Sequence, residues 1–104
     1  MAAVETQQEI LDRIRTHRQQ IRSLGVENLG LFGSFARGEQ NARSDVDLLV
    51  RFRAGNKSFD RFMALALLLE DLLQRRVELV TTEGLSPYLG PRILAEVQDV
   101  TLDS

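Results

Sequence analysis

The stretch GSFARGEQNARSDVDLLV, residues 33–50, joins a Gly-Ser pair to an Asp-x-Asp pair that opens an apolar run. In that run Val46, Leu48 and Val50 recur at every second position, which predicts a strand with one buried face. The glycine directly follows a short apolar segment, residues 28–32, which also predicts a strand. The stretch therefore predicts two strands joined by a bend and a polar loop, with its acidic pair where the second strand begins.

The remaining segments predict helices around a small sheet. Apolar residues at helical spacing predict a first helix over residues 4–24, ended by Gly25, and a central helix capped by Ser58. The predicted order is a helix (4–24), a strand (28–32), a helical turn (34–38), a strand (45–52), a helix (58–74), a strand (76–81) and a final helix from Ser86-Pro87 or Pro91. This α-β-α-β-α-β-α order predicts one α+β (or α/β) domain over residues 1–104, with three strands and about four helices.

The amino-acid composition argues against several classes of protein function. The 104 residues include no cysteine and one histidine, His17, which argues against thiolate zinc sites, cysteine nucleophiles and serine triads. A net charge of -2 argues against binding of bulk nucleic acid. No apolar run is long enough to span a membrane and the N-terminus lacks signal-peptide features, so we expect a cytoplasmic protein without a membrane partner.

Three acidic residues are candidate metal ligands. Asp45 and Asp47 are two residues apart on a predicted strand, so their side chains leave the same face with Cβ atoms about 6.5 to 7 Å apart. Paired carboxylates need protons or cations, and their hard oxygens favour Mg²⁺ or Mn²⁺, often as two ions in nucleotidyl displacement. Glu78, between Val77 and Leu79, becomes a third ligand or the base if its strand lies beside that of Asp47.

Phosphate-binding groups are expected next to these acids. A glycine at residue 33 lets backbone N–H groups approach a phosphate closely, and the hydroxyl of Ser34 adds a donor. Arg37 and Arg43 are available to neutralise phosphate charge, but solvated loop arginines are an equally good interpretation of both.

These residues together resemble a known family. Gly33-Ser34, ten further residues, then Asp45-x-Asp47 are similar to the minimal nucleotidyltransferase (MNT) domain of the DNA polymerase β-like superfamily. The intervening Ala36-Arg37-Gly38 and Ser44 also fit, and the resemblance extends over essentially the whole chain. It implies a small mixed sheet with helices packed around it, and a nucleoside triphosphate held at the bend, with Ser44 and the loop arginines among its contacts.

The resemblance also implies the chemistry and the partner. Asp45 and Asp47 would bind two Mg²⁺ ions, and Glu78 would take the third carboxylate position, where this family more commonly has Asp. MNT domains of this kind resemble antitoxins that transfer AMP from ATP to a tyrosine of a HEPN ribonuclease toxin. Two alternatives stay open: a non-catalytic antitoxin, to which the Glu78 departure points, and a nucleotidyltransferase acting on small molecules such as aminoglycosides.

The helix predicted at residues 59–74 is a candidate surface for contact with another protein chain. Phe62, Leu65, Leu69 and Leu72 suffice to cover a sheet, yet further leucines and Met63 spread apolar surface around most of the helix. Two interpretations remain open, a docking surface for homo- or hetero-oligomers and a central helix enclosed by the first and last helices.

Overall fold

The computed structural model describes residues 2–100 and Leu102. Its elements are α1 (Gln7–Thr16), α2 (Arg18–Arg22), β1 (Val26–Phe32), α3 (Gly33–Arg37), β2 (Val46–Phe52), α4 (Phe59–Leu73), β3 (Val77–Thr81), a 3₁₀ turn (Thr82–Gly84), α5 (Gly90–Glu96) and β4 (Gln98–Val100). The sheet has the order β3-β2-β1-β4, in which β1 is antiparallel to β2 and β4, and β2 is parallel to β3. The mixed α+β architecture predicted from the sequence is confirmed.

One face of this sheet forms the core with the helices. Val46, Leu48 and Val50 of β2 are fully buried, as the alternation predicted. The first helix contributes Ile10 and Ile14, which are likewise buried in the same apolar cluster. The cluster also includes buried leucines of α4, namely Leu65, Leu69, Leu72 and Leu73. The opposite face of the sheet carries the side chains of the intervening strand positions, and the acidic residues of β2 and β3 lie there.

The sheet has four strands rather than the predicted three. The additional strand, β4, is three residues long, and it pairs with β1 through Leu29 opposite Val100. A strand this short cannot display an alternating pattern, so local sequence gives it no signal. The prediction of a three-stranded sheet was wrong for this reason.

Two helices differ from their predicted bounds. The first is divided at His17, whose backbone leaves helical geometry at φ -109° and ψ 20° and whose ring Nδ1 lies 2.9 Å from the carbonyl oxygen of Arg13. The last begins at Gly90, which agrees with the predicted start at Pro91 and not with the one at Ser86-Pro87. The Ser86 hydroxyl accepts hydrogen bonds from the backbone N–H groups of Tyr88 and Leu89 and forms a turn instead. Pro91 lies in the first turn of α5, where its missing N–H costs nothing.

The central helix α4 begins as predicted. The hydroxyl of Ser58 accepts a hydrogen bond of 3.2 Å from the backbone N–H of Arg61. One side of the helix remains uncovered in the single chain, with 77% of Phe59, 40% of Met63 and 62% of Leu67 exposed. The interpretation of α4 as a helix enclosed by its neighbours therefore does not describe this chain on its own. No helix in the described ranges has the length and apolarity needed to cross a membrane.

Candidate functional site

Strand register brings two of the predicted acids together. Asp47 of β2 is the direct partner of Glu78 in the parallel β2–β3 pair. Because paired residues share a face, both side chains leave the sheet on the side opposite the buried Val46 and Leu48. Asp45 lies one residue before β2 begins, and the backbone N–H of Val46 is held by the carbonyl of Arg76 at 2.9 Å. The third strand therefore lies beside the second, which is the arrangement that the prediction for Glu78 required.

The electrostatics of Asp47 reflect this crowding. Its pKa is raised to about 7, first by partial burial, then by a hydrogen bond with the carboxyl group of Glu78 and by the negative charges of Glu78 and Asp45. The positive charge of Arg37 acts in the opposite direction. Burial and the neighbouring negative charges both disfavour the ionised form of this carboxyl group, and either a proton or a bound cation offsets that cost.

The donor set is chemically suited to a hard divalent cation. Three carboxylates supply only oxygen, the ligand type that Mg²⁺ and Mn²⁺ prefer. Within residues 2–100 and Leu102, however, no group of three or more Asp, Glu, His or Cys side chains is arranged to hold a metal ion. Closing this set around an ion would therefore require the carboxylates to turn from the positions they take here.

Gly33 makes room for Asp47. Its backbone φ is +75°, in the left-handed region, and a Cβ built on it would stand 2.7 Å from Cγ of Asp47 and would overlap Oδ2. Phe32, the preceding residue, pairs with Asp47 across β1 and β2, which explains the close approach. The absence of a side chain at Gly33 therefore permits both the bend and the position of the Asp47 carboxyl group. The sequence context of Gly33 indicated only the bend.

The bend and Arg37 are held by a carboxylate of α5. Glu96 accepts a 3.1 Å hydrogen bond from the backbone N–H of Gly33, and its two carboxylate oxygens lie 3.3 and 3.1 Å from Nη1 of Arg37. The Gly33 N–H and Arg37 together hold the pKa of Glu96 below its usual range. Two groups predicted to meet phosphate are thus already bonded within the chain. Glu96 lies 63 residues from Gly33 in sequence, so no local pattern could have indicated this contact.

The remaining predicted residues belong to α3 or to the loop before β2, and the loop residues line a cavity that Gly33, Asp47 and Glu78 do not line. Ser34 is the second residue of α3 and is partly buried. Ser44 accepts a 2.9 Å hydrogen bond at its hydroxyl from the backbone N–H of Asn41 and so shapes the loop that precedes Asp45. The side chain of Arg43 is exposed, and within the described part of the chain it forms no hydrogen bond or ion pair. Arg43, Ser44 and Asp45 together line part of a cavity of about 590 Å³.

Comparison with known proteins decides the family. A family model described as a nucleotidyltransferase domain matches residues 11–100. The chain belongs to this nucleotidyltransferase family. The matched range contains the Gly33-Ser34 bend and all three candidate carboxylates, and the enzyme class predicted from the resemblance is confirmed.

Curated relatives of this nucleotidyltransferase are named as protein adenylyltransferases. MntA of Thermococcus cleftensis is 38% identical over 96 residues, which cover 91% of this chain and 96% of the relative. A protein of Methanocaldococcus jannaschii is 41% identical over 76 residues, covering 73% of this chain and 81% of the relative.

Solved structures agree with the fold. A structure described as a minimal nucleotidyltransferase superposes with a TM-score of 0.68 at 38% identity and covers 85% of this chain and 93% of that one. An MNT antitoxin complexed with a tri-AMPylated HEPN toxin of Shewanella oneidensis gives a TM-score of 0.56 at 21% identity, covering 83% and 70%. A toxin-antitoxin structure with AMP-PNP gives 0.64 at 24% identity, covering 81% and 72%. The last two similarities show the fold alone.

Proposed function

We propose that this nucleotidyltransferase transfers AMP from ATP to a tyrosine hydroxyl of a HEPN ribonuclease toxin and so acts as its antitoxin. The observation that carries the proposal is the pairing of Asp47 with Glu78 directly beside the Gly33-Ser34 bend. The curated relatives are named protein adenylyltransferases, and one of them is MntA. These names support the transfer of AMP to a protein acceptor.

Different residues would bind the nucleotide and accept the proton. Ser34 and the backbone of the bend would hold the triphosphate, with Ser44, Arg37 and Arg43 offering further donors. The acceptor oxygen forms a bond to the α-phosphorus of ATP, the bond to pyrophosphate breaks, and the hydroxyl proton passes to a neighbouring carboxylate, a role that we propose for Glu78.

The acids would hold the metal. Asp45, Asp47 and Glu78 would bind two Mg²⁺ ions, or Mn²⁺ in their place. When bound, these ions would neutralise charge on the triphosphate and favour the ionised form of the attacking hydroxyl. The raised pKa of Asp47 supports this part of the proposal, because a cation would relieve the potential that now retains its proton.

An acceptor from a second protein suits the architecture. Glu78 is exposed and Asp47 is partly exposed, so a macromolecule can reach both carboxyl groups. The structural neighbours that are MNT-HEPN complexes support a HEPN toxin as the partner.

A specific observation favours a second candidate function. Glu96 engages the N–H of Gly33 and the guanidinium of Arg37, two groups that a triphosphate would otherwise use. A chain whose anion-binding groups are occupied in this way would suit an antitoxin that blocks its toxin by covering it, without nucleotide chemistry.

Labelled ATP separates the two candidates. The chain is incubated with its HEPN partner, Mg²⁺ and ATP labelled on either the α- or the γ-phosphate. We expect only the α-label to reach the partner, and we expect Asp47→Asn to abolish the labelling. The matched control is Asp99→Asn, an exposed acid of β4 that should label as the wild type does. If an Asp45→Asn, Asp47→Asn double variant neutralises the toxin without labelling it, the covering function replaces the catalytic one.

A further inference from the structure

The side chain of Arg75 lies at the junction of several segments around the site. It belongs to the connection between α4 and β3 and is partly buried. Its Nε donates a 2.5 Å hydrogen bond to the carbonyl of Val4 in the N-terminal segment. Its guanidinium carbon stands 5.2 Å from the ring centroid of Phe35 in α3, within the range of a cation–π contact. One side chain thereby ties the N-terminal segment to α3.

The same guanidinium donates hydrogen bonds to backbone carbonyls of the loop that precedes β2. Nη1 of Arg75 lies 3.0 Å from the carbonyl oxygen of Ser44 and 3.3 Å from those of Asn41 and Ala42. This loop belongs to no helix or strand, and of these three carbonyls only that of Asn41 also has a partner within the loop, the N–H of Ser44 at 3.1 Å. The two N–H groups of Nη1 are shared among the three carbonyls while Nε bonds the fourth, Val4, a fixed arrangement that a lysine ammonium does not reproduce.

Two contacts of Arg75 adjoin groups of the proposed site. Ser44 is the residue before Asp45, and Phe35 is the residue after Ser34. Arg75 itself precedes Glu78 by three residues, in the connection that leads into β3. The loop acid, the bend and the third carboxylate therefore share one anchor.

We propose that Arg75 is the positioning residue that fixes Asp45 relative to the Gly33-Ser34 bend and to Glu78. It contacts no reacting atom and acts through the loop backbone. The inference rests on the proposed nucleotidyl transfer, since positioning of Asp45 matters only if its carboxylate binds the metal. Losing a group that bonds a metal ligand directly typically lowers metal affinity or activity by about 10- to 100-fold, and because Arg75 bonds the residue next to Asp45 we expect the lower end of this range.

Arg76 offers a matched control in the next position. It has the same charge and lies in the same connection, but its side chain is exposed and forms no hydrogen bond or ion pair among the described residues. A change at Arg76 therefore reproduces the loss of one positive charge near the site without loss of the anchor.

Two measurements on Arg75→Gln, Arg75→Lys and Arg76→Gln test the proposal. The first is Mn²⁺ binding in the presence of a non-hydrolysable ATP analogue, followed by the electron paramagnetic resonance of free Mn²⁺. The second is AMP transfer to the HEPN partner, with kcat and the KM for ATP measured separately, and circular dichroism verifies folding. We expect Arg75→Gln to weaken Mn²⁺ binding and to lower kcat, each by about tenfold or more. Arg75→Lys keeps the charge and should lose part of both, whereas Arg76→Gln should stay within about twofold of the wild type.

The outcomes distinguish this inference from the proposed function. If folded Arg75→Lys and Arg75→Gln bind Mn²⁺ and transfer AMP as Arg76→Gln does, Arg75 is not a positioning residue. If Arg75→Gln does not fold, the Arg75→Lys result decides. A wild-type chain that transfers no AMP overturns the proposed function, and the Mn²⁺ comparison then still decides whether Arg75 organises the acids.

Discussion

The carboxyl group of Asp47 occupies the space into which a side chain at Gly33 would project. A Cβ at residue 33 would stand 2.7 Å from Cγ of Asp47, closer than a Cβ atom approaches an atom to which it is not bonded. The bend and the acidic pair are therefore one structural unit, because the absence of a side chain at Gly33, the first residue of α3, leaves the space in which the carboxyl group of Asp47 lies.

The first prediction concerns Gly33→Ala. The substitution places a left-handed backbone under strain of about 1 to 2 kcal/mol and also displaces Asp47, so both stability and AMP transfer should fall. Gly38→Ala is the matched control, because Gly38 has φ +72° but no atom within 4 Å of the added Cβ. Urea unfolding should show a larger loss for Gly33→Ala than for Gly38→Ala, and transfer should survive only in the latter. Equal losses would mean that the contact with Asp47 is unimportant.

The second prediction is a pH dependence of stability. The pKa of Asp47 is about 7 in the folded chain, above the value of an unfolded aspartate near 3.9. Between these values the folded state holds a proton that the unfolded state has released, so the contribution of Asp47 to the free energy of unfolding decreases as pH rises. Asp47→Asn should remove this decrease and gain stability relative to the wild type from pH 5 to pH 8, which denaturant unfolding at several pH values measures. A difference between the two that does not change with pH would contradict the burial of a protonated Asp47.

The third prediction follows from adding Mg²⁺. Because the cation and the proton compete for the same carboxylates, Mg²⁺ should raise the melting temperature more at pH 8 than at pH 6. Asp47→Asn and Glu78→Gln should weaken this effect, whereas Glu27→Gln, an exposed residue of β1, should not. Melting curves at matched ionic strength provide the measurement. A shift that is the same at both pH values, or the same in all variants, would indicate that Mg²⁺ binds elsewhere.

The fourth prediction concerns Glu96. Its pKa is depressed by the N–H of Gly33 and by Arg37, so its stabilising contribution is present above the ordinary glutamate range and is lost as pH falls through the lower folded value. Wild type should therefore lose stability in acid, and Glu96→Gln should lose less over the same range while being less stable at neutral pH. Thermal unfolding between pH 3 and pH 7 measures both. Parallel curves for the two proteins would show that the contact of Glu96 with the bend contributes no pH-dependent stability.

Local periodicity was sufficient to predict the elements that carry the acids. The alternation of Val46, Leu48 and Val50 fixed which face of β2 is buried, and therefore which face Asp47 takes. The isolated charge of Glu78 between two apolar residues indicated its face on β3, and strand pairing then placed it beside Asp47. The face that each acid takes depends on neighbours along the chain, which is why sequence alone could anticipate it, whereas the pairing of β2 with β3 remained a condition until the structure showed it.

Contacts between distant segments could not be predicted in this way. The bond from Gly33 to Glu96 and the contacts from Arg75 to Val4 and Ser44 join residues 31 to 71 positions apart. In the sequence each charge has an opposite charge four residues earlier, Arg92 for Glu96 and Asp71 for Arg75. Helical spacing therefore suggests local ion pairs and gives no sign of the distant contacts. The short strand β4 escaped prediction for a similar reason, because its place is set by pairing with β1.

Nucleotidyl transfer by these carboxylates is tested by the intact mass of the HEPN partner after incubation with ATP, Mg²⁺ and each form of this chain. We expect wild type and Asp99→Asn to add whole AMP units to the partner, and Asp45→Asn, Asp47→Asn and Glu78→Gln to leave its mass unchanged. An unchanged partner mass with folded wild type, or AMP addition by all three acid variants, would contradict the assignment of nucleotidyl transfer to these carboxylates.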